Sequence, residues 1–266
     1  MSESPASATA TRKTDSGAEP TAPSDRIVLT PELQAEISEV SQQLETATPQ
    51  EILRWVINRF PGKFTMATAF GPEGMVILAM LSEIDRNTPV FNLDTGYQFA
   101  ETLALRDEVA RRYGITVELK RPDTTVEEYE ALHGGPLYKT RPDQCCLDRK
   151  VKVLERSAVG YHAWASAIRR DQSPDRATAP IVGWDKKFSL VEVSPLANWT
   201  KSKVWTYITE NDVPITRCVT TATPALAAGL APALRLALVN ERAGRWSGFA
   251  KASAVCTLAT KQARLR

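Results

Sequence analysis

Long apolar runs are missing from this chain. No stretch approaches the roughly 18 residues that a membrane-crossing helix needs, and the N-terminus lacks the apolar core of a secretion signal. An excess of one charge is missing too. Thirty-three Lys and Arg stand against 31 Asp and Glu, a net +2, which argues against a dedicated nucleic-acid binder and leaves only local basic clusters to explain. Cysteine is scarce, with four in 266 residues. With no export signal, the expected compartment is a reducing cytoplasm, where cysteine leans to metal binding or catalysis. There is no internal repeat. The length suits one large domain or two small ones, with ample material for a buried core.

Residues 1–28 are rich in Ser, Thr, Ala, Pro and charge, and read as a disordered tail or, alternatively, a functional tag. Order is expected from Thr30-Pro31, a cap and first-turn pair. Leu33, Ile37, Val40 and Leu44 mark one helical face, and Ile52, Leu53, Val56, Ile57 and Phe60 another after Pro49. Short apolar strands are expected at Phe64–Ala69, Val90–Leu93, Ile115–Leu119, His162–Ile168 and Leu190–Val193. Helices are expected between them at Met75–Ile84, Gln98–Tyr113, Thr125–Leu132 and Pro142–Ser157, and a last one at Thr200–Glu210. Strands alternating with helices predict an α/β fold with a doubly wound, mainly parallel sheet.

Ligands in such sheets bind beyond the carboxyl ends of the strands. Three loops qualify. Ala69-Phe70-Gly71-Pro72-Glu73-Gly74 reads as a turn before a helix N-terminus, a place suited to phosphate, although any tight strand-to-helix turn uses glycine. Asp94-Thr95-Gly96 offers a carboxylate and a hydroxyl, and Asp94 serves equally well as a structural cap. Arg169, Arg170 and Arg176 follow an apolar strand and suit an anion through forked contacts, the alternative being a solvated charge run. Arg242 and Arg245 lie downstream, able to close over the same site.

The most informative stretch is Pro142-Asp143-Gln144-Cys145-Cys146-Leu147-Asp148-Arg149-Lys150. A disulfide between neighbours closes an eight-membered ring. It asks for Cα atoms about 4.4–6.8 Å apart where neighbours sit near 3.8 Å. The pair therefore reads either as two thiolates for a soft metal or iron–sulfur cluster, or as two buried thiols acting as small hydrophobes.

Taken together, Leu93-Asp94-Thr95-Gly96, Glu101-Thr102, His133-Gly134-Gly135-Pro136-Leu137-Tyr138, Pro142-Asp143-Gln144-Cys145-Cys146, Arg149-Lys150, Arg169-Arg170-Asp171-Gln172-Ser173, Ser194-Pro195-Leu196-Ala197-Asn198-Trp199 and Glu241-Arg242-Ala243-Gly244-Arg245-Trp246 resemble the assimilatory adenylyl-sulfate and phosphoadenylyl-sulfate reductases. The likeness runs from about Phe64 to Val213 and again over Asn240–Lys251. It implies an adenine-nucleotide α-hydrolase-like (PP-loop related) fold, with a nucleotide-binding reductase domain at 29–214 and a C-terminal segment at 215–266 that is family-like only at 240–251. It implies thiol-dependent reduction of adenylyl sulfate to sulfite and AMP through an enzyme S-sulfocysteine, with thioredoxin or glutaredoxin as reductant. Members with Cys-Cys and a later Cys-x-x-Cys hold a [4Fe–4S] cluster, which makes Cys145 and Cys146 cluster ligands. The rivals are the phosphoadenylyl-sulfate branch and an inactive nucleotide-binding remnant. Phe70, Gly71, Asp94, Thr95, Gly96, Arg169, Arg170, Arg242 and Arg245 are the substrate-binding candidates. The nucleophilic cysteine is out of register, with Cys256 nearest to the family position. Oligomeric state is not implied.

The resemblance breaks after Asp212-Val213-Pro214. The family continues with Asn-Pro-Leu, a Gly-Tyr-x-Ser-Ile-Gly-Cys segment and a second cysteine pair, and ends in Glu-Cys-Gly-Leu-His. This chain runs Ile215-Thr216-Arg217-Cys218 into an Ala/Leu-rich stretch, which reads as a diverged amphipathic helix or as something else. If the last base of each codon is read with the first two of the next, the peptide from Ile215 can be Asn-Pro-Leu-Arg-Asp-Asn-Gly-Tyr-Pro-Ser-Ile-Gly-Cys. Shifted the same way, Ala231–Leu234 can give Pro-Cys-Thr, with a longer cysteine spacing than the family's, and Ala252–Leu258 can give Glu-Cys-Gly-Leu-His-Ser. Frameshifts near Ile215, Asn240 and Lys251 account for all three. Resequencing the coding DNA is expected to restore the family frame. An intact, active gene with codons 215–239 and 252–266 as written rejects the idea.

Overall fold

The computed structural model describes residues 26–98 and 100–215. The tail expected at 1–28 and the segment at 216–266 lie almost wholly outside these, although Ile27 already packs against the core, ahead of the boundary expected at 29.

Two helices open the described chain, α1 (Pro31–Gln43) and α2 (Pro49–Arg59). Each begins as its sequence dictates. Thr30 accepts from the Leu33 amide, and Thr48 forms a reciprocal capping box with Glu51, both with proline in the first turn. Then come β1 (Phe64–Ala67), α3 (Pro72–Ile84), β2 (Val90–Leu93), α4 (Ala100–Tyr113), β3 (Val117–Lys120) and α5 (Val126–His133). The cysteines end α6 (Pro142–Cys146), which runs through a π-helical segment at Leu147–Val151 into α7 (Lys152–Ser157). The chain closes with β4 (Ala163–Ala165), β5 (Val182–Asp185), β6 (Leu190–Val193) and α8 (Lys201–Glu210).

The six strands lie in the order β3-β2-β1-β4-β6-β5, parallel except for the edge strand β5. Met66 sits opposite Val90 on one side and Ala165 on the other. Alternation then sorts the side chains. Met66, Val90, Ala163, Val191 and Val193 face a large core shared with α2, α3, α4 and α8. Phe91, Leu93, Trp164 and Leu190 face the other layer, against Val153 of α7 and the neighbouring Leu154 and Ala158. The doubly wound, mainly parallel sheet expected from the sequence is what forms.

Two elements differ from expectation. Strand β5 was not foreseen, because Gly183 and Asp185 interrupt its apolar run and Pro180 precedes it. It forms as an antiparallel edge hairpin partner of β6, and its Val182 amide donates to Ser41 Oγ of α1 at 3.2 Å. The Pro72-Glu73-Gly74 stretch, expected as turn, is the first turn of α3, with Gly71 as its cap and Pro72 at the first helical position.

Helix α3 is enclosed on every side: Met75, Val76, Ile77, Leu78, Met80 and Leu81 are all at 0% exposure. A Leu78→Ala variant should therefore lose about 2–5 kcal/mol of unfolding free energy, whereas Val159→Ala, at a residue 43% exposed, should change it by less than about 0.5 kcal/mol. Chemical denaturation measures both, and equal losses would mean that α3 is not the centre of the core.

Candidate functional site

Strand β1 has β2 on one side and β4 on the other, so the winding reverses between β1 and β4. A crevice opens at such a reversal, beyond the carboxyl ends of the strands. The loops after β1, β2, β4 and β6 border it.

The β1 loop is tightly built. Thr68 Oγ1 accepts from the Phe70 amide at 3.0 Å, and the Asn92 side chain donates to the Thr68 carbonyl at 2.8 Å. Asn92 is buried, and its Oδ1 has no hydrogen-bond partner among the described residues. Phe70 takes a left-handed φ of 55°, uncommon for a bulky residue and typical of places where the surroundings impose it. A Cβ at Gly74 would lie 2.9 Å from Thr68 Oγ1, so the first turn of α3 approaches the loop only because that residue is glycine. The result is a helix N-terminus, with its unsatisfied amides, presented beside the crevice.

After β2, Asp94 is buried and does two things. Its Oδ1 accepts from the Gly96 amide at 3.0 Å, and its Oδ2 accepts from Arg121 Nε at 2.9 Å. Gly96 has a φ of +78°, and a Cβ there would meet Val126 Cγ2 at 2.5 Å. Both the cap-like role of Asp94 and the need for glycine at 96 are thus local requirements of the turn.

The β4 loop is where the arginines part company. Arg169 is at 1% exposure and lies 3.3 Å from Glu73 of α3 and 3.4 Å from Asp171. It therefore joins the β4 loop to the α3 N-terminus. Arg170 has other protein partners. Its guanidinium forks onto Glu45 and also donates to Asn198 Oδ1 at 2.5 Å and to the Ala179 carbonyl at 2.7 Å. The Arg170–Glu45 hydrogen bond holds the Glu45 carboxyl below its usual range. Arg176 donates to Gln172. Besides its expected place at an anion, Arg170 braces the loop against the α1–α2 connection, because Glu45 from that connection reaches it. Arg242, Arg245, Cys218 and Cys256 lie outside the described residues.

Cys145 and Cys146 share a helical turn and form no disulfide. Cys145 is buried with Tyr97, Tyr129 and Leu137. Burial pushes the Cys146 thiol up, and Lys150 and Lys187 pull it partway back. Burial and an acceptor carboxylate also raise both phenols, through Glu130 for Tyr97 and Asp148 for Tyr129. Among the described residues no group of three or more His, Cys, Asp or Glu is placed to hold a metal ion. A [4Fe–4S] cluster takes four thiolates, and the described residues contain two cysteines, so any such centre here would need two more from outside them. Among the described residues, too, no helix is long and apolar enough to cross a membrane.

A residue that site reasoning passed over is Arg149, which was noted only as part of the Arg149-Lys150 motif. It is buried at 3% exposure, and its Nε donates to the Thr95 carbonyl at 2.7 Å. The sequence signal was its place three residues after the cysteines, and the π-helical turn that carries it had no local signature.

The sheet order, with its reversal at β1 and β4, makes this a doubly wound, mainly parallel α/β protein. The family described as the phosphoadenosine phosphosulfate reductase domain matches residues 63–222. The chain is 40% identical to the adenosine 5'-phosphosulfate reductase of Streptomyces coelicolor, over 84% of this chain and 93% of that one. It is 37% identical to the phosphoadenosine 5'-phosphosulfate reductase of Gloeobacter violaceus, over 82% and 92%. The crystal structure of a phosphoadenylyl-sulfate reductase from Candida auris, a phosphate complex, superposes with a TM-score of 0.65 at 30% identity, covering 74% of this chain and 94% of that one. The chain belongs to the phosphoadenosine phosphosulfate reductase family.

The geometry of Asp94 separates two contributions. Arg121 is 64% exposed, so Asp94→Asn, which keeps an acceptor for the Gly96 amide, should lose less than about 1 kcal/mol of stability. Asp94→Ala removes the turn hydrogen bond as well and should lose about 1–3 kcal/mol. Equal losses in denaturant titrations would mean that the turn does not depend on Asp94.

Proposed function

We propose that this chain descends from, and with its family C-terminus acts as, a cytoplasmic thiol-dependent reductase that converts adenylyl sulfate to sulfite and AMP. The observation that carries this reading is the vicinal pair Cys145–Cys146, on a helix whose own Arg149 is bonded to the loop after β2. Relatives named for adenylyl sulfate and for its 3'-phosphorylated form are both similar to the chain, and the cysteine pair favours the unphosphorylated substrate. The loops at Phe70-Gly71 and Asp94-Thr95-Gly96 hold the nucleotide. The N-terminus of α3 and Arg169, with Arg242 and Arg245, offset charge on the phosphosulfate. Arg170 keeps the β4 loop in place.

In the reaction a cysteine thiolate attacks the sulfonate sulfur, the sulfur–oxygen bond to the phosphate breaks, and AMP leaves. This forms an S-sulfocysteine. A thiol of thioredoxin or glutaredoxin attacks the cysteine sulfur and releases sulfite, and its second thiol reduces the mixed disulfide. Arginines beside the leaving phosphate lower the barrier by offsetting its developing charge. Cys145 and Cys146 would hold one side of a [4Fe–4S] cluster, which when bound supplies an iron–sulfide centre whose charge and redox state act on its neighbours. A cluster and a separate nucleophile together need five cysteines, and the chain has four. As written it is proposed to bind nucleotide without turnover, which is also the outcome of the frameshifts inferred above.

Calorimetry with AMP, and sulfite release with adenylyl sulfate and thioredoxin, test the reading. The chain as written should bind AMP and release no sulfite. The chain rebuilt with the shifted-frame C-terminus should contain iron and release sulfite, and Cys145→Ser in that background should lose the iron. Rebuilt protein that lacks iron and requires the 3'-phosphate would place the chain in the phosphoadenylyl-sulfate branch.

A further inference from the structure

Arg149 is a guanidinium closed off from water, and burying one is costly unless its donors are met. Its hydrogen bonds go to main-chain carbonyls on two other segments. Nε reaches Thr95 O at 2.7 Å, and Nη1 reaches Thr124 O and Thr125 O at 3.3 Å each. The guanidinium carbon also lies 5.5 Å from the Tyr97 ring centroid and 5.0 Å from that of Tyr129, within cation–π range. Those two rings are packed with Cys145 in one buried cluster. On its outer edge the guanidinium limits the β2 loop, since a Cβ at Gly96 would come within 3.2 Å of Nη2. A planar fork that serves carbonyls at 95, 124 and 125 has little freedom to follow one of them without releasing the others.

We propose that Arg149 is a positioning residue that makes the Thr95–Gly96 loop and the Cys145–Cys146 helix move as one body, so that a nucleotide in the loop is sensed at the cysteine pair. This rests on the nucleotide reading above. In that reading the two segments have separate tasks, one for substrate and one for cluster donors, and the guanidinium hydrogen-bonds one to the other, beside the apolar packing of Tyr97 on Cys145. Lys152 and Arg156, farther along the same helix, pair instead with Asp148 and Asp123.

Amide hydrogen exchange read by mass spectrometry, with and without saturating AMP, tests the coupling on the chain as it stands. AMP should slow exchange both in a peptide covering 93–98 and, by roughly tenfold, in one covering 142–152. In Arg149→Met, AMP at saturating concentration should still protect 93–98 while the effect on 142–152 disappears. Arg149→Lys, which keeps the charge but not the fork, should behave the same way and serves if the methionine variant does not fold. Arg156→Met should keep both effects. Protection of 142–152 that survives in the Arg149 variants, or is absent from the parent although calorimetry shows AMP bound, overturns the proposal. A parent that does not bind AMP at all overturns the nucleotide reading together with it.

Discussion

A helix that is apolar around its whole circumference has to be enclosed, and α3 is that helix. Its six fully buried residues between Met75 and Leu81 require neighbours on all sides, which the sheet, α2, α4 and α8 provide. Enclosing α3 also fixes where the crevice lies. The helix must start close behind β1, so the connection turns sharply, with Phe70 in the left-handed region and Gly74 against the Thr68 hydroxyl. The strain of that turn is tolerated because the Phe70 ring itself belongs to the core. Core packing and the presentation of a helix N-terminus to a ligand are thus one constraint.

The same economy holds for charge. Arg169, buried between Glu73 and Asp171, ties the β4 loop to the start of α3. Asp171 in turn accepts from the Lys201 amide at 2.8 Å, at the start of α8. Arg170 ties the loop to Glu45. Two consecutive arginines therefore point to two different layers, and the loop between β4 and β5 is held from three directions. These ties are all made within the protein, which suits the proposed site, where a charged substrate would meet a geometry already set.

Local signals were strong enough to read most of the architecture. A threonine cap followed by proline announced α1, Pro49 and its apolar face announced α2, and short apolar runs announced β1, β2 and β6. They failed where a tertiary partner decides the outcome. Gly183 and Asp185 carry no strand signal, and β5 exists because β6 and α1 offer it an edge. Pro72-Glu73-Gly74 reads as a turn in isolation and becomes helix because the following residues must be buried. In the site, the tight turns at Gly71 and Gly96 were legible from glycine itself. The division of labour between Arg169 and Arg170 was not, since it depends on Glu73 and Glu45, which are distant in sequence. Arg149 was legible only as a neighbour of the cysteines, because its partners are carbonyls, and carbonyls leave no trace in a sequence.

The cysteine pair shows how far donor chemistry constrains a fold. Cys145 packs with Tyr97, Tyr129 and Leu137, and among the described residues no group of three or more His, Cys, Asp or Glu is placed to hold a metal ion. A four-thiolate centre built on these two cysteines needs two more thiolates from another segment. Among the cysteines of this chain only Cys218 and Cys256 remain, and they are 38 residues apart, whereas the family places its second pair as Cys-x-x-Cys. Using both as ligands would also leave no thiolate for attack on sulfur. On the proposed function the described domain carries the nucleotide-binding sheet and two of the cluster's four thiolates. On the proposed reading the missing half was encoded beyond residue 215, in a frame that the chain as written does not translate.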